Sequence, residues 1–288
     1  MNASVKEIES PLKGLELKNG NYLSFDSPLV MGIVNITPDS FYDGGRYNTE
    51  QAAIKHSEQL IADGADILDL GAASTRPGAE DVGPEEELKR LLPVVDYLGK
   101  NHPSIPVSID TFHAAVAKDV VAHGASIIND ISGGTMDASM YKTVGALGVP
   151  YILMHIQGTP KTMQVAPHYE DVVEEVYAFF KERVKQLNSA GVTQLIIDPG
   201  FGFGKTVEHN YSLLRHLDKF KTLGLPILAG LSRKSMINKV LKTKPENALT
   251  GTISLNTLAI LQGANILRVH DVKEAKQVIE LVHKVTSS

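Results

Sequence analysis

Eight short runs rich in β-branched and aliphatic residues recur along the chain, and longer segments of mixed polarity separate them. The runs cover residues 29–35, 65–71, 105–110, 125–130, 149–155, 193–198, 225–230 and 264–270. Apolar runs of this length are typical of buried strands, and the intervals between them have room for helices. The pattern predicts repeated βα units around a parallel sheet.

Helical periodicity is clearest in four segments, residues 49–64, 84–100, 171–191 and 272–285. A doubly wound open sheet would also alternate strands with helices. Eight units in a chain of 288 residues favour a closed (β/α)₈ TIM barrel of the α/β class. We expect one barrel domain over residues 29–288. A segment of residues 1–28 precedes it and packs on it, and residues 15–25 read as a hairpin with Asn-Gly at the turn.

Charge and composition narrow the possible partners. The net charge is −5 and the isoelectric point is near 6.1, the wrong sign for the counterion release that drives nucleic-acid binding. The absence of Cys removes disulfides, thiolate catalysis and Cys-type zinc sites. No apolar run approaches the roughly 18 residues of a membrane span, and the first 20 residues have no apolar signal-peptide core. We therefore expect a cytoplasmic protein that binds neither nucleic acid nor membrane.

Polar residues follow the apolar runs with unusual regularity. At or near the carboxyl end of each run, or just past it for Ser232, stand Asn35, Asp69, Asp110, Asn129, His155, Asp198, Ser232 and His270. Each one alone could cap a helix or close a turn. In a TIM barrel, however, the carboxyl ends of all eight strands form one rim, where such enzymes place their active sites. The sequence thus predicts that these side chains converge on one pocket.

The glycine-rich stretch 198–206, DPGFGFGKT, resembles two phosphate-binding motifs without matching either. A P-loop requires Gly five places before its Gly-Lys pair, where this chain has Pro199. The dinucleotide pattern fails because its third Gly would fall on Lys205 or on Val207. What remains is a glycine loop that lets backbone approach a flat ligand, with Phe201 or Phe203 offering an aromatic face.

Cationic residues gather near the last two predicted strands. Arg268 and His270 stand two residues apart on a strand and so share one face, an arrangement suited to a phosphate or diphosphate. Arg233, Lys234 and Ser235 follow the seventh strand. Long loops rich in small residues occupy 35–48 and 71–83 and carry Arg46 and Arg76, which is typical of lids over active sites.

Eight motifs, in order over most of the chain, are shared with one family. They are MGIVNITPDSFYDGG (31–45), STRPG (74–78), SIDT (108–111), INDISGG (128–134), LMHIQGTPKTMQ (153–164), IDPGFGFGKT (197–206), GLSRKS (230–235) and RVH (268–270). With them the chain closely resembles the dihydropteroate synthases, folate-pathway enzymes that join a dihydropterin diphosphate to p-aminobenzoate. Agreement in this order is far more specific than any single motif.

The resemblance implies roles for individual residues. The implied substrate-binding set is Thr75, Arg76, Pro77, Asp110, Asn129, Met154, Asp198, Phe203, Lys234, Ser235, Arg268 and His270. The implied catalytic set is Asn35, Asp39, Arg76, Lys234, Arg268 and His270. Ala73 and Tyr42 depart from the family, whose members often carry a larger polar residue at the first position and a small one at the second.

Within these sets, the resemblance assigns three carboxylate or amide groups to the pterin, those of Asp110, Asn129 and Asp198. Their oxygens and N–H groups complement the edge of a 2-amino-4-oxo ring. Arg268, His270 and Asn35 are implied to hold the diphosphate. Asn35 is also the implied ligand of a Mg²⁺ cofactor, a hard cation that shares its shell with phosphate oxygens.

The implied reaction breaks a carbon–oxygen bond at the pterin methylene, and an ionisation-first route suits these groups. A methyltetrahydrofolate-dependent methyltransferase would share a pterin-binding barrel but would not need two diphosphate-gated loops. A pterin-binding module without turnover could dispense with STRPG and the first loop. The family likeness also favours a homodimer through the last helices, although the apolar stretch 248–263 could equally pack on the barrel.

Overall fold

Eight parallel strands form the centre of the molecule in a computed structural model. The model describes residues 12–18, 20–37, 46–73 and 82–287, with backbone alone for 46–48. The strands are β3 (Leu29–Asn35), β4 (Ile67–Gly71), β5 (Val107–Asp110), β6 (Ile127–Asp130), β7 (Tyr151–Met154), β8 (Leu195–Asp198), β9 (Leu228–Ala229) and β10 (Ile266–Val269), and they follow an N-terminal hairpin of β1 (Gly14–Glu16) and β2 (Tyr22–Ser24). Every predicted strand is present.

The sheet is a closed ring, as the alternation of strands and helices predicts. Its hydrogen-bonded order is β8-β7-β6-β5-β4-β3-β10-β9, so neighbours in sequence are neighbours in space except where β10 joins β3. A parallel bridge between Ile197 and Ile227 closes the ring between β8 and β9. The prediction of a TIM barrel is confirmed.

Helices surround the barrel, one or two after each strand. In the described part of the chain they are α1 (Arg46–Ala62), α2 (Pro84–Asn101), α3 (Ala114–Ala122), α4 (Met140–Leu147), α5 (Val172–Ser189), α6 (Val207–Arg215), α7 (Ser235–Leu241), α8 (Leu249–Leu261) and α9 (Val272–Thr286), with 3₁₀ turns at Leu217–Leu223 and Pro245–Asn247. The apolar stretch 248–263 contains α8, which packs beside α9. Among the described residues, none of these helices combines the length and apolarity that crossing a bilayer requires.

Alternation along each strand separates two environments. In β4, Leu68 and Leu70 face outward into the core beneath the helices, whereas Ile67 faces inward. Inward residues near the amino ends of the strands are apolar, and with Leu15 and Leu17 they form one cluster. Higher on the same inner face, β4 carries Asp69, which lies opposite Ser108 of β5. The barrel therefore has an apolar floor and a polar upper layer.

The N-terminal hairpin closes the floor. Leu15 is fully buried against the inward residues of the strands. The side chain of Gln194, just before β8, binds the backbone of Glu16 twice, accepting from its N–H at 2.6 Å and donating to its carbonyl at 2.9 Å. The hairpin thus packs at the end of the barrel opposite the strand carboxyl ends.

Replacing Leu15 with Ala should lower the free energy of unfolding by about 2–5 kcal/mol, because a buried Leu is lost and a cavity remains. Urea unfolding measures the change. Leu281→Ala is the control, since this side chain is 70% exposed and surface changes usually stay within about 0.5 kcal/mol. Similar losses in both variants would contradict the conclusion that the hairpin closes the apolar floor of the barrel.

Candidate active site

A cavity of about 610 Å³ opens at the carboxyl ends of the strands. Polar and apolar side chains from nearly every strand end meet in it. The lining residues are Ile33, Asn35, Thr37, Ala73, Asp110, Asn129, Ile131, Met154, Asp198, Phe203, Gly230, Ser232, Arg233, Lys234, Pro245, Glu246, Arg268 and His270. The rim of the barrel therefore holds the pocket where the strand-end pattern predicts it.

Six of the eight predicted strand-end residues line this cavity, and the prediction is wrong for the other two. His155 follows Met154, whose side chain faces inward, so alternation directs the imidazole outward. There it packs edge-on against Phe179, with ring centroids 4.9 Å apart. Asp69 faces inward but is fully buried beneath the cavity. Its hydrogen-bond partners are Arg268, Asn129 and Ser108.

Arg268 links two carboxylates across the barrel mouth. Its Nε donates to Asp69 Oδ2 at 2.6 Å and its Nη2 donates to Asp110 Oδ2 at 3.0 Å. Asp69 also accepts from Ser108 Oγ at 2.6 Å and from Asn129 Nδ2 at 3.1 Å. One buried carboxylate thus orients both the arginine and the amide that line the cavity. The sequence pattern includes Asp69, but nothing in it distinguishes a supporting residue from a lining one.

Burial raises the pKa of both carboxyl groups that face the cavity. Desolvation raises the pKa of Asp110, against the opposing pull of the Arg268 guanidinium. Desolvation also raises the pKa of Asp198, which Lys234 and a hydrogen bond from the Gly200 N–H oppose. Such buried acceptors gain most from a ligand that supplies N–H donors, because those donors replace lost water.

The glycine loop after β8 offers one of its two phenylalanines to the cavity. Phe201 is fully buried in the core, whereas the ring of Phe203 lines the pocket. Lys234 Nζ lies 4.8 Å from the centroid of that ring and donates to the Phe201 carbonyl oxygen. Burial lowers the pKa of Lys234 to about 8, while Asp198 opposes the shift. Lysine and aromatic ring therefore form one wall of the cavity.

Residues at and just past the ends of β9 and β10, among them Ser232, Arg268 and His270, form a corner of the cavity. Ser232 Oγ accepts from the His270 N–H at 3.2 Å and lies 3.0 Å from His270 Nδ1. These two contacts hold the imidazole beside the end of β9. Although part of the His270 side chain is exposed, desolvation by the surrounding protein lowers its pKa to about 4. The positive charges of Arg268 and Arg233 contribute to this shift. Arg233 in turn makes a two-point ion pair with Asp271, at 3.0 and 2.5 Å.

Several predicted site residues lie elsewhere or outside the described residues. Ser235 is exposed in the first turn of α7 and does not line the cavity. Residues beyond the described ranges include Asp39, Tyr42, Thr75, Arg76 and Pro77. Conversely, Pro245 and Glu246 line the cavity from the turn between α7 and α8, and no strand-end pattern indicated them.

Replacing Asp69 with Asn should lower the free energy of unfolding by about 2 kcal/mol, because Arg268 loses a charged hydrogen-bond acceptor inside the protein. Asp66→Asn is the matched control. Asp66 pairs with Lys276 at 2.7 Å, but the Lys276 and Asp66 side chains are 33% and 26% exposed, and exposed pairs contribute about 1 kcal/mol or less. Urea unfolding of both variants compares them, and an equal loss would contradict the supporting role of Asp69.

Comparison with known proteins places this geometry in a family. Residues 31–270 match the model of the family described as pterin binding enzyme. The dihydropteroate synthase of Escherichia coli K12 is 44% identical over 271 residues, which cover 93% of this chain and 95% of that protein.

Solved structures agree in fold and in extent. A Xanthomonas albilineans dihydropteroate synthase with 4-aminobenzoic acid superposes with a TM-score of 0.90 at 43% identity, covering 96% of this chain and 99% of that one. The enzyme from the same organism in complex with 7,8-dihydropteroate gives a TM-score of 0.86 at 41% identity, with the same coverage. This chain therefore belongs to the pterin binding enzyme family, and within it to the dihydropteroate synthases.

Proposed function

We propose that the cavity binds 6-hydroxymethyl-7,8-dihydropterin diphosphate and p-aminobenzoate and joins them, releasing diphosphate and 7,8-dihydropteroate. The observation that carries this proposal is the combination of polar groups in one cavity. Its lining includes the carboxylates of Asp110 and Asp198 and the amide of Asn129, together with Arg268 and His270. A substrate with a polar heteroaromatic ring at one end and a diphosphate at the other complements both sets of groups. The chain is thus a transferase of the folate pathway.

The pterin ring lies, in this proposal, between the strand-end acceptors and the loop after β8. Asp110 and Asp198 accept N–H groups of the ring edge, and Asn129 both donates and accepts. Met154, which is 2% exposed, packs against one part of the ring. Phe203 and Lys234 separate the pterin from the site of the aniline. The high cost of leaving buried carboxylates without donors favours a ligand rich in N–H groups.

Diphosphate binds at the corner of Arg268 and His270. Among the described residues, two cations of the cavity already face carboxylates, Arg268 beside Asp69 and Asp110, and Arg233 beside Asp271. The positive charge of these two side chains is therefore partly offset before a diphosphate binds. Further positive charge is required for tight binding.

Mg²⁺ fits this requirement. In the described part of the chain, no cluster of three or more His, Cys, Asp or Glu residues forms a metal site. Asn35 is exposed at the end of β3 and lines the cavity, so its amide oxygen is available as a hard ligand. Mg²⁺ commonly takes few protein ligands and completes its shell with water and substrate phosphates. When bound, it would neutralise charge that develops on the leaving diphosphate.

The chemistry follows from the charges. The methylene carbon–oxygen bond breaks and its electron pair leaves with the diphosphate, where the Arg268 guanidinium and the His270 imidazole stabilise it. The electron-rich dihydropterin carries the resulting cation. The amine nitrogen of p-aminobenzoate then forms the carbon–nitrogen bond and loses a proton, so no strong base is needed before substitution.

Water must be kept from the cation, which assigns a role to the two long loops. By family resemblance, Asp39 belongs to the first loop, and the second supplies Thr75, Arg76 and Pro77 to the p-aminobenzoate site. Ser235 is proposed near the carboxylate of p-aminobenzoate, at the start of α7. Closure of loops over a reactive intermediate excludes side reactions. A homodimer and a cytoplasmic location stay predictions.

The first test is diphosphate release from the dihydropterin diphosphate, with and without p-aminobenzoate and Mg²⁺, and with the product identified by mass. We expect release coupled to dihydropteroate formation, lost when EDTA removes the metal. Tight pterin binding without release would instead favour a binding module. Methyl transfer from methyltetrahydrofolate would favour the methyltransferase.

Two variants separate the proposed subsites. Asp110→Asn should weaken pterin binding, because an anionic acceptor for the ring edge is lost. Arg76→Ala should leave pterin binding nearly intact and abolish turnover with p-aminobenzoate. Calorimetric titration with a pterin and steady-state rates measure the two effects. An equal loss of pterin affinity in both variants would count against this division.

A further inference from the structure

Lys205 is a buried lysine that neither the motif pattern nor the proposed chemistry explains. It closes the glycine loop after β8, and its residue is only 4% exposed. Its Nζ lies 3.0 Å from His155 Nδ1, 3.0 Å from the Gly200 carbonyl oxygen and 2.9 Å from that of Phe203, with a longer 3.3 Å contact to the His155 carbonyl. Three protons of one ammonium group thus have three close acceptors inside the protein.

The loop that Lys205 binds lies unusually close to the segment after β7. A Cβ atom added to Gly200 would lie 1.9 Å from the His155 carbonyl oxygen, and one added to Gly204 would lie 2.6 Å from that of Gln157. Both glycines have positive φ, 68° and 63°. Lys205 lies at this approach, where it binds carbonyl groups of both segments, those of Gly200 and Phe203 in the loop and that of His155 after β7.

The same loop supplies groups to the cavity. The Phe203 ring lines it, and the Phe201 carbonyl accepts a hydrogen bond from Lys234. Other described contacts to the loop include Asn210 Oδ1, which accepts from the Gly202 N–H at 2.7 Å, Tyr169 Oη, which donates to the Gly204 carbonyl at 2.9 Å, and the Phe203 N–H, which donates to the Gly200 carbonyl at 3.1 Å. Lys205 Nζ donates to both the Gly200 and the Phe203 carbonyls and so binds the turn that carries the ring.

We infer that Lys205 is a positioning residue: its ammonium group binds the Gly200 and Phe203 carbonyls and thereby holds Phe203 and Lys234 where the aromatic substrates bind. The inference rests on the proposed function, which assigns those two side chains to the substrates. Burial lowers the pKa of Lys205 to about 7, which agrees with an amine held away from water. His155, which faces away from the cavity, becomes the acceptor that completes its coordination.

A tryptophan reporter tests the geometry without activity. The chain contains no Trp, so Phe203→Trp places a single indole in the loop. Adding Lys205→Met should shift its emission to longer wavelength and increase quenching by acrylamide, because the loop loses its inner hydrogen bonds. Lys142→Met, the same substitution at an exposed position of α4, should change neither. Unchanged emission with Lys205→Met would overturn the inference.

Kinetics test the consequence in the otherwise native chain. Lys205→Met should raise KM for the pterin substrate and for p-aminobenzoate by about tenfold, the equivalent of one net hydrogen bond. The affinity for inorganic diphosphate should stay within about twofold, because Arg268 and His270 belong to β10 and its end. An equal loss of diphosphate affinity would indicate general disruption and overturn the inference. Absence of dihydropteroate from the wild type would refute the proposed function, while the emission test would still stand.

Substitutions of His155 provide a second test should Lys205→Met fail to fold. His155→Leu removes the Nδ1 acceptor and should shift the reporter emission in the same direction by a smaller amount. His155→Asn keeps a side-chain acceptor near that position and should keep the emission of the Phe203→Trp variant. If both His155 variants match the emission of Phe203→Trp, the coordination of Lys205 does not hold the loop and the inference is wrong.

Discussion

The polar layer of this barrel depends on one arginine placed among carboxylates. Arg268 on β10 reaches past β3 to Asp69 on β4 and Asp110 on β5. A fully buried Asp69 without a cationic partner would be costly, and so would a guanidinium without carboxylates. Each group therefore requires the others, and they meet because β10, the last strand in sequence, pairs with β3, the first strand of the barrel. Pairing of the last strand with the first therefore brings this part of the site together.

The apolar floor makes that polar layer possible. Inward residues at the amino ends of the strands, with Leu15 of the hairpin, exclude water from below. Charges above such a floor interact more strongly than they would in water. The consequence is visible in the raised pKa values of Asp110 and Asp198 and in the lowered value of Lys234. The same low polarity that shifts these pKa values also strengthens the hydrogen bonds that a bound ligand makes to these groups.

Sequence patterns predict the strands and the rim well because both follow from short-range alternation of apolar and polar residues. They do not distinguish Asp69, which supports the site from below, from Asp110, which lines it, since both follow a strand and face inward. The prediction for His155 is wrong for a simpler reason. The side chain of Met154 faces the inside of the barrel, and because side chains alternate along a strand, the next residue faces outward. Phe201 and Phe203 likewise could be separated only by the fold of the glycine loop, which takes its shape from contacts distant in sequence.

Lys205 shows why a glycine-rich loop with a lysine is an ambiguous pattern. Such a loop binds phosphate only when its N–H groups and its ammonium point outward to a ligand. Here the ammonium points inward to the carbonyl oxygens of Gly200 and Phe203, while Arg268, the cation proposed to bind diphosphate, stands on β10. The glycines serve the close approach of two backbone segments, and the lysine supplies the donors that this approach requires. The composition of the loop is compatible with both arrangements, and the hydrogen-bond partners of Lys205 distinguish them.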